Sequence, residues 1–167
     1  MKKDENIVLI GMPGSGKSSI GVIIAKRLGM SFIDVDLLIQ ERQGELLQET
    51  VDRVGSDAFL DIEADAVCSV NVKNSVISPG GSAILCERGA KHLKSLGKVV
   101  YLRLTLDALK THLSDLSSRG IAMKPGQTLD DIYNYRVPFY EKYADITVDT
   151  SMQTIEESVD AVLNALK

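Results

Sequence analysis

The sequence predicts an α/β protein in which about five parallel strands form one sheet with helices on both faces. Short apolar runs alternate with longer amphipathic stretches along all 167 residues, which is typical of consecutive βα units. The first apolar run is continuous, as expected for a central strand buried on both faces. A glycine-rich turn follows it and leads into a helix. These observations indicate a three-layer α/β/α arrangement, and we expect residues 1–167 to form a single domain.

The predicted strands are the short apolar runs that end at glycine, proline or charged residues. They are expected at residues 7–10, 32–35, 76–78, 99–102 and 146–148. In a parallel sheet of this kind, ligands bind at the carboxyl ends of the strands. Polar residues that follow these runs are therefore the first candidates for a functional site.

The predicted helices carry apolar residues at spacings of three and four. They are expected at residues 17–28, 37–71 with interruptions at Gly44 and Gly55, 87–96, 106–116, from Thr128 onward, and after Thr154. Thr154 and Glu157 form a possible capping box. The helical insertion at about 37–71 is long enough to build one wall of a cleft. An aperiodic stretch makes about 113–126 a candidate lid, and Pro138 is expected to interrupt the helix that contains it.

Composition and charge exclude several classes of protein. The net charge is -4 and the pI about 5.2, whereas nucleic-acid-binding domains carry a basic surface, so we expect no nucleic-acid partner. No apolar run approaches the roughly 18 residues that a membrane span requires, and the first residues are too polar for a signal peptide. Cys68 and Cys86 form no metal or disulfide pattern. We expect a cytoplasmic monomer.

The turn after the first strand matches the phosphate-binding motif G-x-x-x-x-G-K-S/T. Its residues are Gly11, Met12, Pro13, Gly14, Ser15, Gly16, Lys17 and Ser18, with Ser19 next in the helix. Glycines let backbone N–H groups surround a phosphate, and the start of the following helix adds its dipole. The lysine reaches the β- and γ-phosphates and the serine hydroxyl can ligate Mg²⁺. The motif predicts a nucleoside triphosphate site with ATP as co-substrate.

The motif alone does not separate kinases from GTPase switches or motor ATPases. An Asn-Lys-x-Asp motif, which reads guanine in switch proteins, is missing from the sequence. The other candidate residues in the sequence would bind a second substrate, the molecule that accepts the phosphate.

Asp34 and Asp36 follow the second predicted strand. If the strand continues through Val35, alternation sends both side chains to one face, toward the phosphates. One carboxylate would then support Mg²⁺, and the other would accept a hydrogen bond from an acceptor hydroxyl. The alternative is an aspartate that caps the following helix.

Three further features accompany this pair. Gly80 and Gly81 follow Ser78 at the end of the third strand, where backbone can approach a ligand closely, although an ordinary turn is the alternative. Arg119 lies in the aperiodic stretch and could close over the transferring phosphate, or could simply be solvated. Arg136 precedes Pro138 and could point into the cleft.

Together these segments resemble the shikimate kinase family over nearly the whole chain. The matching segments are GMPGSGKSS, FIDVD, a partial FLDIE at residues 59–63, VISPGGS, SSRG and RVPFYEKYADITVDT. The resemblance implies the P-loop kinase fold, ATP and Mg²⁺, and phosphorylation of a hydroxyl group of shikimate.

The resemblance also implies roles for individual residues. Lys17, Asp36 and Arg119 would be catalytic, and residues 11–19 with Arg119 would bind the nucleotide. Ser18 and Asp34 would hold the metal. Acceptor contacts would come from Asp36, Leu60, Gly80, Gly81, Ser82 and Arg136.

The sequence departs from the family pattern on the acceptor side. Ser56 follows Gly55 where the family has glutamate, and Ser82 replaces the third glycine of a triplet. Leu60 replaces an arginine that binds the acceptor carboxylate, and leucine cannot replace a bidentate guanidinium. The loss of one partner of a desolvated charge pair typically costs about 2–5 kcal/mol.

Three functions remain open at this point. The first is shikimate kinase, with a pocket that compensates for Leu60. The second is a kinase of the same build that acts on another small hydroxy compound, such as the hydroxy amino acid homoserine. The third is a non-catalytic, nucleotide-binding regulator.

Overall fold

The computed structural model describes residues 5–114 and 121–167. Five strands form one sheet in the order β2-β3-β1-β4-β5, and every neighbouring pair is parallel. The strands are β1 (Asn6–Ile10), β2 (Ser31–Asp34), β3 (Ser75–Ser78), β4 (Gly97–Arg103) and β5 (Ile146–Asp149). The predicted fold class is confirmed.

The helices connect successive strands and cover both faces of the sheet. They are α1 (Lys17–Leu28), α2 (Val35–Gln43), α3 (Leu47–Val54), α4 (Ser56–Cys68), α5 (Glu87–Leu96), α6 (Leu106–Ser114), α7 (Leu129–Tyr143) and α8 (Ile155–Ala165), with a short 3-10 helix at Ala83–Leu85. In the described ranges, no helix is both long and apolar enough to cross a membrane. Three helices, α2 to α4, occupy the predicted insertion between β2 and β3.

The central strand β1 is buried over its whole length, as its continuous apolar run predicts. Its side chains alternate between two cores because successive residues of a strand face opposite sides of the sheet. Ile7 and Leu9 belong to a core completed by α1 and α8. Val8 and Ile10 belong to a larger core that includes residues of α2, α4, α5 and α7. The sheet is therefore the middle of three layers.

Two local predictions are wrong. Strand β2 ends at Asp34 rather than Val35, since the Asp34 side chain accepts hydrogen bonds from the first backbone N–H groups of α2 and so begins the helix at Val35. Helix α7 is not interrupted at Pro138 but runs through it to Tyr143. The packing of Tyr140 on Tyr101, with ring centroids 5.2 Å apart, holds the helix on the sheet past the proline.

Candidate active site

The glycine-rich loop joins β1 to α1 at the carboxyl edge of the sheet. Gly16 adopts a left-handed conformation, with φ 81° and ψ 12°, which glycine reaches without strain, and α1 begins at the next residue. The free N–H groups of the first turn of α1 therefore border the loop, as an anion site requires. The predicted strand–loop–helix arrangement is present.

Lys17 is buried and lies over the loop. Its ammonium group donates hydrogen bonds to the carbonyl oxygens of Gly11 at 3.0 Å and Met12 at 2.9 Å. Burial lowers the pKa of Lys17 to about 8, and the negative charges of Asp36 and Glu63 partly offset that effect. The lysine thus carries its charge toward the edge of the sheet where the acidic residues lie.

Ser18 and Asp34 meet beside the loop. The Ser18 hydroxyl donates to Asp34 Oδ2 at 2.7 Å, and Ser78 Oγ lies 3.4 Å from Ser18 Oγ. The other oxygen of Asp34 accepts from the backbone N–H of Asp36 at 3.0 Å, as a helix cap. Asp34 therefore caps α2 through one oxygen and accepts from Ser18 through the other, and its role as a metal ligand stays a prediction.

This donor set fits Mg²⁺. Mg²⁺ is usually bound by one or two carboxylates together with substrate phosphates and waters, and a serine hydroxyl next to an aspartate supplies the protein's share. Within residues 5–114 and 121–167, no cluster of three or more His, Cys, Asp or Glu forms an all-protein metal site. A cation at Ser18 and Asp34 would take its other ligands from phosphate and water.

Asp36 lies on the first turn of α2 and faces the loop. Its Oδ1 is fully buried and has no hydrogen-bond partner among the residues that the structure describes. Burial raises the pKa of Asp36 to about 6, against the opposing effect of the charge on Lys17. Asp36 also lines a cavity of about 280 Å³ together with the loop residues Pro13 and Gly14 and with residues 16–19.

The segment after β3 closes this cavity from the other side. A Cβ added to Gly81 would lie 2.6 Å from Cδ of Pro13, so only glycine allows the two loops to pack this closely. The hydroxyl of Tyr140 donates to the carbonyl oxygen of Gly81 and ties the segment to α7. Gly81 therefore allows the segment after β3 to pack against the phosphate loop.

Arg136 projects from α7 into the interior. It is 4% exposed, and its Nη2 donates to the carbonyl oxygen of Ala122 at 3.1 Å. Arg136 lines a cavity of about 350 Å³ together with Leu60 and Ser56, two of the positions where the sequence departs from the family pattern. Leu60 therefore does face the space next to Arg136.

Most of the predicted residues that the structure describes fall into two groups: Lys17, Ser18, Asp36 and Gly81 line the cavity beside the loop, and Leu60 and Arg136 line the larger cavity. Residues 115–120 of the predicted lid, which include Arg119, lie outside the residues that the structure describes. The described part of that segment, from Ile121 onward, lies over the cavity and supplies Ala122 and Lys124 to its wall.

Sequence reasoning missed Glu63 as a site residue. This glutamate on α4 is 1% exposed, and its Oε2 accepts a hydrogen bond from the Ser82 hydroxyl. Burial raises the pKa of Glu63 to about 7. One signal could have found it, because Glu63 lies midway between Phe59 and Val67 at a spacing of four. It therefore occupies a core-facing position on its helix.

Comparison with known proteins agrees with this geometry. Residues 13–167 match the family model described as shikimate kinase. The chain belongs to the shikimate kinase family. It is 33% identical over 162 residues to the shikimate kinase of Thermodesulfovibrio yellowstonii, with 95% of this chain and 93% of that protein covered.

A second curated relative and a solved structure are also similar to this chain. Human threonine synthase-like 1 is 36% identical over 167 residues, which cover 98% of this chain but only 22% of that protein. Among solved structures, the shikimate kinase of Acinetobacter baumannii in complex with shikimate has a TM-score of 0.86 at 26% identity, with 97% and 92% of the two chains covered. The P-loop kinase fold predicted from the sequence is therefore confirmed.

Proposed function

We propose that this chain is an ATP- and Mg²⁺-dependent kinase that phosphorylates a hydroxyl group of a small, carboxylate-bearing acceptor. The observation that carries the proposal is the convergence of Lys17, Asp36 and Arg136. Lys17 and Asp36 line one cavity beside the phosphate loop, Arg136 lines a second cavity with Leu60, and the charges of Asp36, Glu63 and Arg136 all act on the pKa of Lys17.

On the nucleotide side, backbone N–H groups of the loop and the first turn of α1 hold the β- and γ-phosphates. Lys17 turns from the carbonyl oxygens of its own loop toward the γ-phosphate and spreads the charge that develops there. Ser18 and Asp34 would hold Mg²⁺, which would neutralise phosphate charge there.

On the acceptor side, Arg136 binds the carboxylate of the acceptor, and Asp36 accepts a hydrogen bond from its hydroxyl group. Because Asp36 has a pKa of about 6, it is ionised at neutral pH and can accept the proton of the hydroxyl group. The acceptor oxygen forms a bond to the γ-phosphorus while the bond to the β-phosphate oxygen breaks, and ADP leaves. We take the transfer to be direct, with no phosphoenzyme: no described histidine or cysteine lines either of the two cavities, and His112 Nδ1 lies 3.4 Å from the carbonyl oxygen of Gly14.

Shikimate is the acceptor that family membership suggests first. The Acinetobacter baumannii relative was solved in complex with shikimate, and the family resemblance assigns acceptor contacts to Asp36, Gly80, Gly81 and Arg136. For shikimate, Arg136 would anchor the carboxylate without an arginine at position 60.

The wall of the acceptor cavity favours a second candidate. Leu60 contributes an apolar surface beside Arg136, which suits an acceptor other than shikimate, such as homoserine. The threonine synthase-like 1 relatives show that related sequence also occurs within proteins named for a hydroxy amino acid.

The test is ADP release by the purified chain with ATP and Mg²⁺ against shikimate, hydroxy acids and hydroxy amino acids. Saturable ADP release that depends on one of these acceptors supports the kinase proposal. Nucleotide binding without turnover on any acceptor would contradict it and leave a non-catalytic regulator.

A further inference from the structure

The cavity of about 350 Å³ beside α7 is lined by a buried arginine. Arg136 is 4% exposed, and none of the ion pairs in the described part of the chain includes it. A buried charge is costly unless a group of opposite charge pairs with it. The guanidinium group therefore marks this cavity as a site for an anionic ligand.

A second cation, Lys124, lines the same cavity. It belongs to the segment before α7, and Arg136 is tied to that segment because its Nη2 donates to the carbonyl oxygen of Ala122 at 3.1 Å. Asp57 is the one carboxylate among the described residues that line the cavity. The two cations thus border one space from different parts of the chain and outnumber the carboxylate there.

A tight turn over residues 124–127 fixes the backbone of Lys124. The N–H of Gln127 donates to the carbonyl oxygen of Lys124 at 3.1 Å, and Gly126 has φ 83°. Proline at the second position and a left-handed glycine at the third are typical of a type II turn. The N–H of Lys124 donates in return to Gln127 Oε1 at 2.9 Å. The lysine side chain therefore starts from a fixed point on the cavity wall.

The ammonium group of Lys124 reaches the first turn of α4. Its Nζ lies 3.1 Å from Asp57 Oδ1, and both side chains are more than half exposed. Exposed ion pairs of this kind contribute little to stability, so a ligand carboxylate can replace Asp57 at little cost. Asp57 precedes Leu60 by three residues, and residues at this spacing lie side by side on a helix. The lysine thus brings positive charge to the wall where Leu60 supplies none.

We infer that Lys124 is the second cation of the acceptor site, where it and Arg136 together hold the carboxylate of the acceptor. This inference rests on the proposed kinase function and makes Lys124 a determinant of acceptor specificity. Arg136 provides a buried contact, and Lys124 provides an exposed one. Asp57 holds the ammonium group at the cavity before the acceptor binds and gives it up to the acceptor carboxylate.

Lys124→Met provides the first test, because methionine keeps an unbranched side chain without the charge. The probes are shikimate and homoserine, which both carry a carboxylate. For the probe that the unmodified chain phosphorylates, we expect KM to rise by about 10-fold, with little change in kcat or in KM for ATP. This is the lower end of the range for a hydrogen bond to a charged group, as suits an exposed lysine. Lys91→Met, which removes the exposed ion pair with Glu87 on α5, is the matched control.

Two further variants separate binding from a structural role. Lys124→Arg keeps the charge and should hold KM for the acceptor within about threefold of the unmodified value. Asp57→Asn removes the competing carboxylate, so KM for the acceptor should stay unchanged or fall. If the ion pair only supported the cavity wall, Lys124→Met and Asp57→Asn would raise KM alike.

That equal rise, an unchanged KM in Lys124→Met, or a Lys124→Arg variant as weak as Lys124→Met would overturn the inference and leave the kinase proposal intact. Failure of the unmodified chain to phosphorylate either probe would also overturn it. Absence of turnover with every acceptor tested would defeat the kinase proposal as well.

Discussion

At the scale of single residues, Lys17 links the nucleotide to the acceptor. It is the buried cation whose pKa depends on Asp36, Glu63 and Arg136 together, so it reports the electrostatics of the whole cleft. Its hydrogen bonds to Gly11 and Met12 keep the ammonium group over the loop. A neutral side chain of similar length would fill the space without supplying that charge.

Lys17→Met should therefore abolish most of the phosphoryl transfer. We expect kcat to fall by at least about 10²- to 10³-fold, the usual range for removing one donor aimed at developing charge. The measurement is acceptor-dependent ADP release, with Lys26→Met, an exposed change on the same helix, as the control. Retention of more than a tenth of the turnover would contradict the role assigned to Lys17.

Glu63 makes the stability of the fold depend on pH. Its pKa rises from 4.5 to about 7 on folding because the charged form is buried. The native state therefore binds more protons than the unfolded state between these values, and the free energy of unfolding falls as pH rises through this window. The effect is on the order of 3 kcal/mol at most, from about 1.4 kcal/mol per pKa unit.

Glu63→Gln removes this dependence. Relative to the unmodified chain, the variant should gain stability at pH 8, and the gain should shrink toward pH 5, where Glu63 is protonated. Urea unfolding at several pH values measures the difference, and Glu41→Gln, an exposed change on α2, serves as the control. A difference that stays constant with pH would show that Glu63 does not titrate in this window.

The residues that sequence reasoning located are those fixed by local pattern. Lys17 and Ser18 follow from the spacing of the glycine-rich loop, and the structure places them at the start of α1. The spacing of Phe59, Glu63 and Val67 places Glu63 on the core-facing side of α4, but its contacts with Ser82 and Gly80, on another element, could not be located from that spacing. Contacts between residues that are far apart in the sequence do not produce a recognisable spacing pattern.

At the scale of elements, the sheet and most helices could be predicted, while boundaries set by side chains could not. The apolar run of β1 and the periodicity of α5 predict their elements because burial on the sheet dictates both patterns. The end of β2 was misplaced by one residue because the Asp34 side chain begins α2. Asp36 therefore faces the loop from the first turn of a helix and not by strand alternation.

Helix α7 shows tertiary packing overriding a local signal. Pro138 lacks a backbone N–H, which normally breaks or bends a helix. Yet α7 continues to Tyr143, since Tyr140 stacks on Tyr101 and donates a hydrogen bond to Gly81. The same contacts position the acceptor segment, so the continuity of α7 is coupled to the site.

Tyr140→Phe tests this coupling. The change removes one hydrogen bond, for which we expect a loss of about 1 kcal/mol of stability. It also frees the Gly81 carbonyl, so the KM for the acceptor should rise while nucleotide affinity changes little. Glu141→Gln, at an exposed position of the same helix, is the control. An unchanged acceptor KM would mean that Tyr140 supports only the core.

At the scale of the whole molecule, the strand order decides which loops lie next to one another at the carboxyl edge of the sheet. The order β2-β3-β1-β4-β5 places β1 beside β3, and β3 beside β2, so the phosphate loop, Gly80 and Asp34 emerge next to one another. Asp36, Glu63 and Arg136 are contributed by helices α2, α4 and α7, respectively. The sequence does not reveal this adjacency, because the right-handed rule for parallel connections fixes the hand of each crossover and leaves the order of the strands open.

The most direct test of the central claim is the stoichiometry of transfer. Phosphorus NMR on a reaction with ATP, Mg²⁺ and the preferred acceptor counts ADP and phosphate ester in the same sample. The proposed cleft predicts one phosphate ester for each ADP, and loss of most ester formation in Asp36→Asn. ADP that accumulates without ester, or ester formation that Asp36→Asn leaves unchanged, would contradict the claim that nucleotide and acceptor meet in this cleft.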